Sequence, residues 1–92
     1  MVKIEFDPAK DAANIAKHGI SLARATDMHV LEMTEDDRQA YGETRLRAFG
    51  LIDNMVYCLV FTERNGVIRA ISLRRAHAKE LRRYVQRTTD LQ

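Results

Sequence analysis

Between Thr44 and Arg74 the chain alternates in steps of two and is cut twice by turn dipeptides, Asp53-Asn54 and Asn65-Gly66. In an extended strand, residues two apart share a face. Thr44, Leu46, Ala48 and Gly50 therefore point one way, and Arg45, Arg47, Phe49 and Leu51 the other. Met55 to Thr62 is the most apolar and β-rich run of the sequence, as expected of a strand inside a sheet. Asn-Gly favours the positive φ angles of a two-residue hairpin, so Val67 to Arg74 reads as the third strand of a meander. Such a meander has one face that must be covered by other parts of the chain.

The flanking segments supply the cover. Val2 to Phe6 alternates apolar and charged residues, the period of a half-buried strand. Asp7 then reads as an N-cap and Pro8 as the first helical residue. A helix follows through His18, with Ala12, Ile15 and Ala16 as its apolar stripe and Gly19 as its left-handed C-terminal stop. Ser21 caps a second, short helix to about Met28, which makes a helical hairpin. Val30 to Tyr41 lacks clear periodicity and reads as a loop. From Ala76 onward helix formers return, with Leu81, Tyr84 and Val85 as a docking face. The expected order is β-α-α-β-β-β-α, an α+β fold in which helices pack on one face of an antiparallel sheet. The opposite face is then open to carry a site.

The 92 residues leave room for one domain, with 88–92 as a frayed tail. A composition of 46% hydrophobic and 30% charged residues is that of a folded globular protein rather than a disordered one. The sequence contains no apolar run long enough to cross a bilayer, and Met1 to Phe6 is no signal peptide, so a cytoplasmic location is expected. The one cysteine, Cys58, lies in the apolar run and reads as a buried thiol rather than a disulfide or zinc ligand.

Charge is unevenly distributed. From Arg64 to Arg87 eight basic residues face one acid, Glu80, giving +7, whereas from Asp27 to Glu43 six acids face Arg38 alone, giving −5. Clustered arginine and lysine suit a polyanion, because binding releases counterions from phosphates. A solvated helix face accounts equally well for the basic run.

Three arginines, and His18 with Lys17, carry the chemical reading. Arg74 at a strand end, with Arg45 and Arg47 on an adjacent part of the sheet, can gather guanidiniums around a phosphodiester and stabilise its added transition-state charge. Taken singly, each is also explained as a surface arginine over apolar neighbours. By strict alternation Arg74, Ser72, Ala70 and Ile68 share a face, with Leu73, Ile71 and Arg69 on the other. His18 is a general acid or base with Lys17 as an electrostatic aid, or simply a histidine favoured by the helix C-terminus. His77 is an alternative acid or base, expected to be neutral near a helix start, and His29 reads as structural. The acids of Glu35-Asp36-Asp37 read as solvated loop charge. No metal-ligand spacing, phosphate-binding glycine loop or nucleophile elbow occurs, so no metal or cofactor is expected. RNA permits metal-independent cleavage, since its 2'-hydroxyl can attack the adjacent phosphate with only a base, an acid and cationic stabilisation.

Phe6-Asp7-Pro8-Ala9-Lys10, Asn14-Ile15-Ala16-Lys17-His18-Gly19-Ile20-Ser21, Glu43-Thr44-Arg45 and Ile71-Ser72-Leu73-Arg74-Arg75-Ala76, with Glu80 and Arg82-Arg83-Tyr84, resemble the BrnT family of bacterial type II toxins. The resemblance covers nearly the whole chain in order. It implies a RelE-like α+β fold, ribonuclease activity that arrests translation, and neutralisation by a BrnA-like ribbon-helix-helix antitoxin through which operator DNA is bound. The family's site residues carry over to Lys17, His18, Arg45 and Arg74, and further to Arg75 and Glu43. Arg47, Arg75 and His77 are then expected to contact RNA. Leu22 stands where the family has an aromatic residue, His77 where serine or threonine is common, and Lys79 where arginine is common. The competing expectation is a non-catalytic module that binds nucleic acid or a protein partner through the same basic surface.

Overall fold

The computed structural model describes residues 3–36 and 44–90. Five strands form one mixed sheet: β1 (Lys3–Glu5), β2 (His29–Asp36), β3 (Arg45–Ile52), β4 (Met55–Arg64) and β5 (Val67–Arg75). They lie in the order β1-β5-β4-β3-β2, with β2 to β5 antiparallel and β1 parallel to β5. Helix α1 (Pro8–His18), a 3-10 helix (Leu22–Asp27) and helix α2 (Ala78–Asp90) complete the chain.

The meander follows the turn chemistry. Asp53 and Asn54 have φ of 52° and 65°, and Asn65 and Gly66 of 54° and 79°, the paired left-handed values that a tight hairpin requires. The α1 caps also follow the sequence: the Asp7 carboxylate accepts from the Ala9 N–H at 2.7 Å, and Gly19, at φ 73°, donates its N–H to the Ile15 carbonyl at 2.8 Å.

Four expectations are corrected. The segment from Val30 is no loop: His29–Asp36 pairs along β3 and becomes the sheet's outer strand, and 37–41 lies outside the described residues. Its alternation was hidden because the register shifts between Val30 and Glu32, inserting Leu31 as a bulge. The second helix is a single 3-10 segment. The sheet is mixed rather than antiparallel, because the last strand of the meander, β5, returns to pair with β1 in parallel. Finally, the helices do not share one face. α1 and the 3-10 helix cover the face of Ala48, Leu59, Phe61, Ala70 and Leu73, whereas Glu80 places the start of α2 against Arg74 and Arg47 on the other.

The packing of α1 is a further correction. Ala12, Ile15 and Ala16 are exposed, and the helix meets the body through Asp11, Asn14 and His18, at i, i+3 and i+7. The Asp11 carboxylate accepts from the Ser21 hydroxyl at 2.9 Å and the Leu22 N–H at 2.7 Å. The Asn14 amide nitrogen donates to the carbonyls of Ile20 at 2.9 Å and Leu73 at 2.8 Å, and its oxygen accepts from the Leu73 N–H at 3.0 Å. β1 has ended by this point of β5, so the asparagine replaces the missing strand and satisfies buried main-chain groups. A helix can therefore dock on a polar face.

Gly50 is fixed by close approach. A Cβ at this position would collide with the His29 carbonyl oxygen and come within 2.7 Å of Met28 Cγ.

Candidate functional site

The site is assembled at the junction of three elements: the last turn of α1, the end of β5 and the first turn of α2. On β5 a second bulge decides which side chains reach it. Val60 pairs with Ser72 and Phe61 with Ala70, so Ile71 is an extra residue. Alternation is reset there, and Ser72 and Arg74 face away from the core while Ala70 and Ile68 turn toward it with Leu73. The expected grouping of Arg74 with Ala70 and Ile68 fails for this reason, but its pairing with Ser72 holds.

Arg74 is neither solvated nor alone. Its Nη1 donates to Glu80 Oε1 at 2.8 Å and its Nη2 to Glu80 Oε2 at 3.0 Å, a fork-to-fork pair in which the two side chains are only 13% and 14% exposed. Nη1 also reaches the Arg75 carbonyl at 3.2 Å. The Glu80 carboxylate further accepts the His77 main-chain N–H at 2.7 Å. His77 is thus the N-cap of α2, and Glu80 is the third helical residue of a capping box that lacks the usual serine or threonine. Arg47 Nη1 stands 3.9 Å from Glu80 Oε2. With Arg74 and the His77 N–H around it, the carboxyl is pulled down to about 2, chiefly by the hydrogen bonds from Arg74 and against the cost of burial.

His18 enters from α1. It is partly buried, and its pKa is lowered below the ordinary 6.5, first by burial and then by the positive charges of Lys17, Arg74 and His77. The helix C-terminus would favour the imidazolium, but desolvation together with the nearby Lys17 and Arg74 outweighs it. The imidazole is neutral at pH 7 and suited to accept a proton. Lys17 is exposed on the same turn.

The other predicted residues divide by register. Phe49, Cys58 and Arg74 are in line across β3, β4 and β5. Arg47 lies two residues along β3 from Phe49, on the same face, with its guanidinium carbon 5.9 Å from the Phe49 ring centre. Arg45 shares that face but lies four residues from Phe49, about 13 Å along the strand, opposite the buried Asp36. It belongs to the far end of the surface. Arg75 turns to the other face, its guanidinium carbon 5.9 Å from the Tyr57 ring centre, and is not gathered with Arg74. His77 is exposed, with Nδ1 3.8 Å from Glu80 Oε1. Glu43 and the side chain of Tyr84 lie outside the described residues. Leu81 is half-buried and Val85 is exposed. Cys58 is fully buried, as expected of an apolar thiol.

Sequence reading missed Glu80 as a site residue, because one acid in a basic run looks like dilution. The signal was present in its place three residues after His77, at the start of a helix.

His18 on the last turn of α1 and the Glu80-held Arg74 at the end of β5, on a basic, strand-built surface, make up the candidate site on this α+β scaffold. A search of curated proteins gives no match for this chain. A family model described as the ribonuclease toxin BrnT of type II toxin-antitoxin systems matches residues 6–80. The chain belongs to the BrnT family of ribonuclease toxins, whose members act on RNA and pair with an antitoxin.

Proposed function

We propose that the chain, as a single toxin domain over residues 1–92, is a metal-independent endoribonuclease that inhibits translation in the cytoplasm and is neutralised by a BrnA-like ribbon-helix-helix antitoxin. The observation that supports the reading is the docking of α1, which ends in Lys17 and His18, through Asn14 on Leu73, the β5 residue next to Arg74. His18 accepts the proton of the 2'-hydroxyl as its oxygen bonds to phosphorus and the P–O5' bond breaks, giving a 2',3'-cyclic phosphate and a 5'-oxygen that takes its proton from water, while Arg74 and Lys17 stabilise charge growing on the phosphate and Arg47 extends the cationic surface along the RNA. Arg45 and Arg75 act farther from the scissile bond, as strand-borne contacts for flanking phosphates. His77 lies close enough to act on His18 electrostatically and serves as an RNA contact at the helix start. The positive charge comes from protein side chains, which supports a reaction without metal. The RelE-like architecture and operator binding through the antitoxin belong to the same proposal.

Purified protein is incubated with RNA in excess chelator, and its expression is followed by growth. Cleavage and growth arrest that are lost in both His18→Ala and Arg74→Ala are expected. Intact RNA with normal growth overturns the proposal. Salt-sensitive RNA binding without turnover would establish the binding module instead.

A further inference from the structure

The proposed reaction uses the arginines of the sheet's open face but not the aromatic ring set among them. Phe49 stands outside the core cluster and is half-buried on the face that carries Arg47 and Arg74. Beside it lies a cavity of about 150 Å³. Thr34, Arg47 and Phe49 line it from β2 and β3, and Glu80 and Arg83 line it from α2. The space is below that of a site for a drug-sized ligand and suits a single ring system.

Charge decides which part of a nucleotide fits. Arg47 and Arg83 share the lining with Glu32, Glu35 and Glu80, so the cavity holds no excess of positive charge for a phosphate. It does combine guanidinium donors with carboxylate acceptors, and the edge of an uncharged heterocycle carries both complements. Two groups of the lining also lack a complement. Thr34 Oγ1 and Arg47 Nε are buried without a hydrogen-bond partner among the described residues, whereas most buried polar groups are paired. Phe49, Cys58 and Arg74 are in line across three adjacent strands, which sets Phe49 and Arg74 roughly 10 Å apart at the backbone. A backbone phosphate and a base beside it span a similar reach.

We propose that this cavity seats one unpaired nucleobase of the RNA, stacked on Phe49, while an adjoining phosphate lies at Arg74. Stacking accepts any base, since each has a π face, and the planar guanidinium of Arg83 closes the seat from α2. Phe49 is a base-binding residue that sets the register of the RNA and takes no part in bond making. The placement of the phosphate rests on the ribonuclease reading above, whereas the seat for a base does not.

The probe is a 2'-O-methyl tetranucleotide, which cannot be cleaved, carrying a single 2-aminopurine and abasic at its other positions. It is titrated into the full chain beside a fully abasic control. Saturable quenching of the 2-aminopurine is expected, with binding tighter than the control's by about five-fold or more. Phe49→Leu, checked for folding by circular dichroism, should lose both the quenching and the preference, and Phe49→Tyr should keep both. Arg83→Lys, at an exposed position of α2, keeps the charge but loses the plane, and should lower the preference by about two-fold or more; it serves where Phe49→Leu does not fold. Equal binding of probe and control by wild type means attraction to phosphate alone and overturns the proposal. Undiminished quenching and preference in Phe49→Leu, or an unchanged preference in Arg83→Lys, overturns it as well. If the chain cleaves no RNA but still quenches the probe through Phe49, the ribonuclease reading fails and the base seat stands. Cleavage without Phe49-dependent quenching removes the seat alone.

Discussion

The side chain of Asn14 completes both main-chain hydrogen bonds of Leu73, accepting from its N–H at 3.0 Å and donating to its carbonyl at 2.8 Å. This pair docks α1 on β5 one residue before Arg74, and so brings Lys17 and His18 to the arginine. The site therefore depends on a buried asparagine that touches none of its reacting groups.

Asn14→Ala should destabilise the fold by about 2–4 kcal/mol, since buried donors and acceptors of Leu73 and Ile20 lose their partner. Asn14→Asp keeps the acceptor for the Leu73 N–H but loses both donated bonds and adds a buried charge, and should be at least as damaging. Urea unfolding monitored by circular dichroism checks both, and wild-type stability in either variant would refute the role.

Breaking the Arg74–Glu80 pair should cost stability and activity together. Glu80→Gln retains the shape but removes the charge that fixes Arg74 and weakens the cap on His77, and a loss of about 2–4 kcal/mol is expected. Cleavage should fall through a misplaced Arg74, with Glu80 acting as a positioning residue. Thermal melts with RNA cleavage measured well below the melting temperature separate the two effects.

Glu80 also sets an acid limit. Its folded pKa, about 2, lies below its ordinary 4.5, so its contribution is complete above pH 4.5 and is lost as pH falls from there toward 2. The difference corresponds to roughly 3 kcal/mol. Stability measured from pH 6 to pH 2 should decline more steeply in wild type than in Glu80→Gln, and parallel curves would contradict the linkage.

The lowered pKa of His18 places the acid limb of the pH–rate profile below pH 6.5. Cleavage at pH 6.5 should stay above half its maximum, because His18 is more than half neutral there. Arg74→Ala removes one of the cations acting on it and should move the His18 titration upward, observable by NMR. A limb at or above 6.5 in wild type would argue against His18 as the base.

The two neighbouring arginines should behave differently. Arg74→Lys keeps a charge but loses the fork that grips both oxygens of Glu80, and a drop in cleavage of at least ten-fold is expected. Arg75→Ala, on the other face of β5, should change cleavage less than three-fold. Similar effects of both would mean that the face assignment has no bearing on RNA.

The sequence by itself determined the meander, its two turns and the caps of α1. Each of these is encoded by residues close together in the chain: Asp53-Asn54 and Asn65-Gly66 tolerate left-handed backbone, Asp7 caps its own helix, and period-two patterning sorts Arg45 and Arg47 from Leu46 and Ala48. Residue types also suggested His18 and Arg74 before their neighbours were known. Tertiary structure decided the rest. Two inserted residues, Leu31 and Ile71, shift strand parity, and bulges leave no local composition signal. α1 docks through Asp11 and Asn14 rather than its apolar stripe, because buried main-chain groups of β5 and the following turn needed partners. Glu80 became the centre of the site only when α2 folded against the open face, since an acid's role among arginines depends on which guanidiniums come within reach.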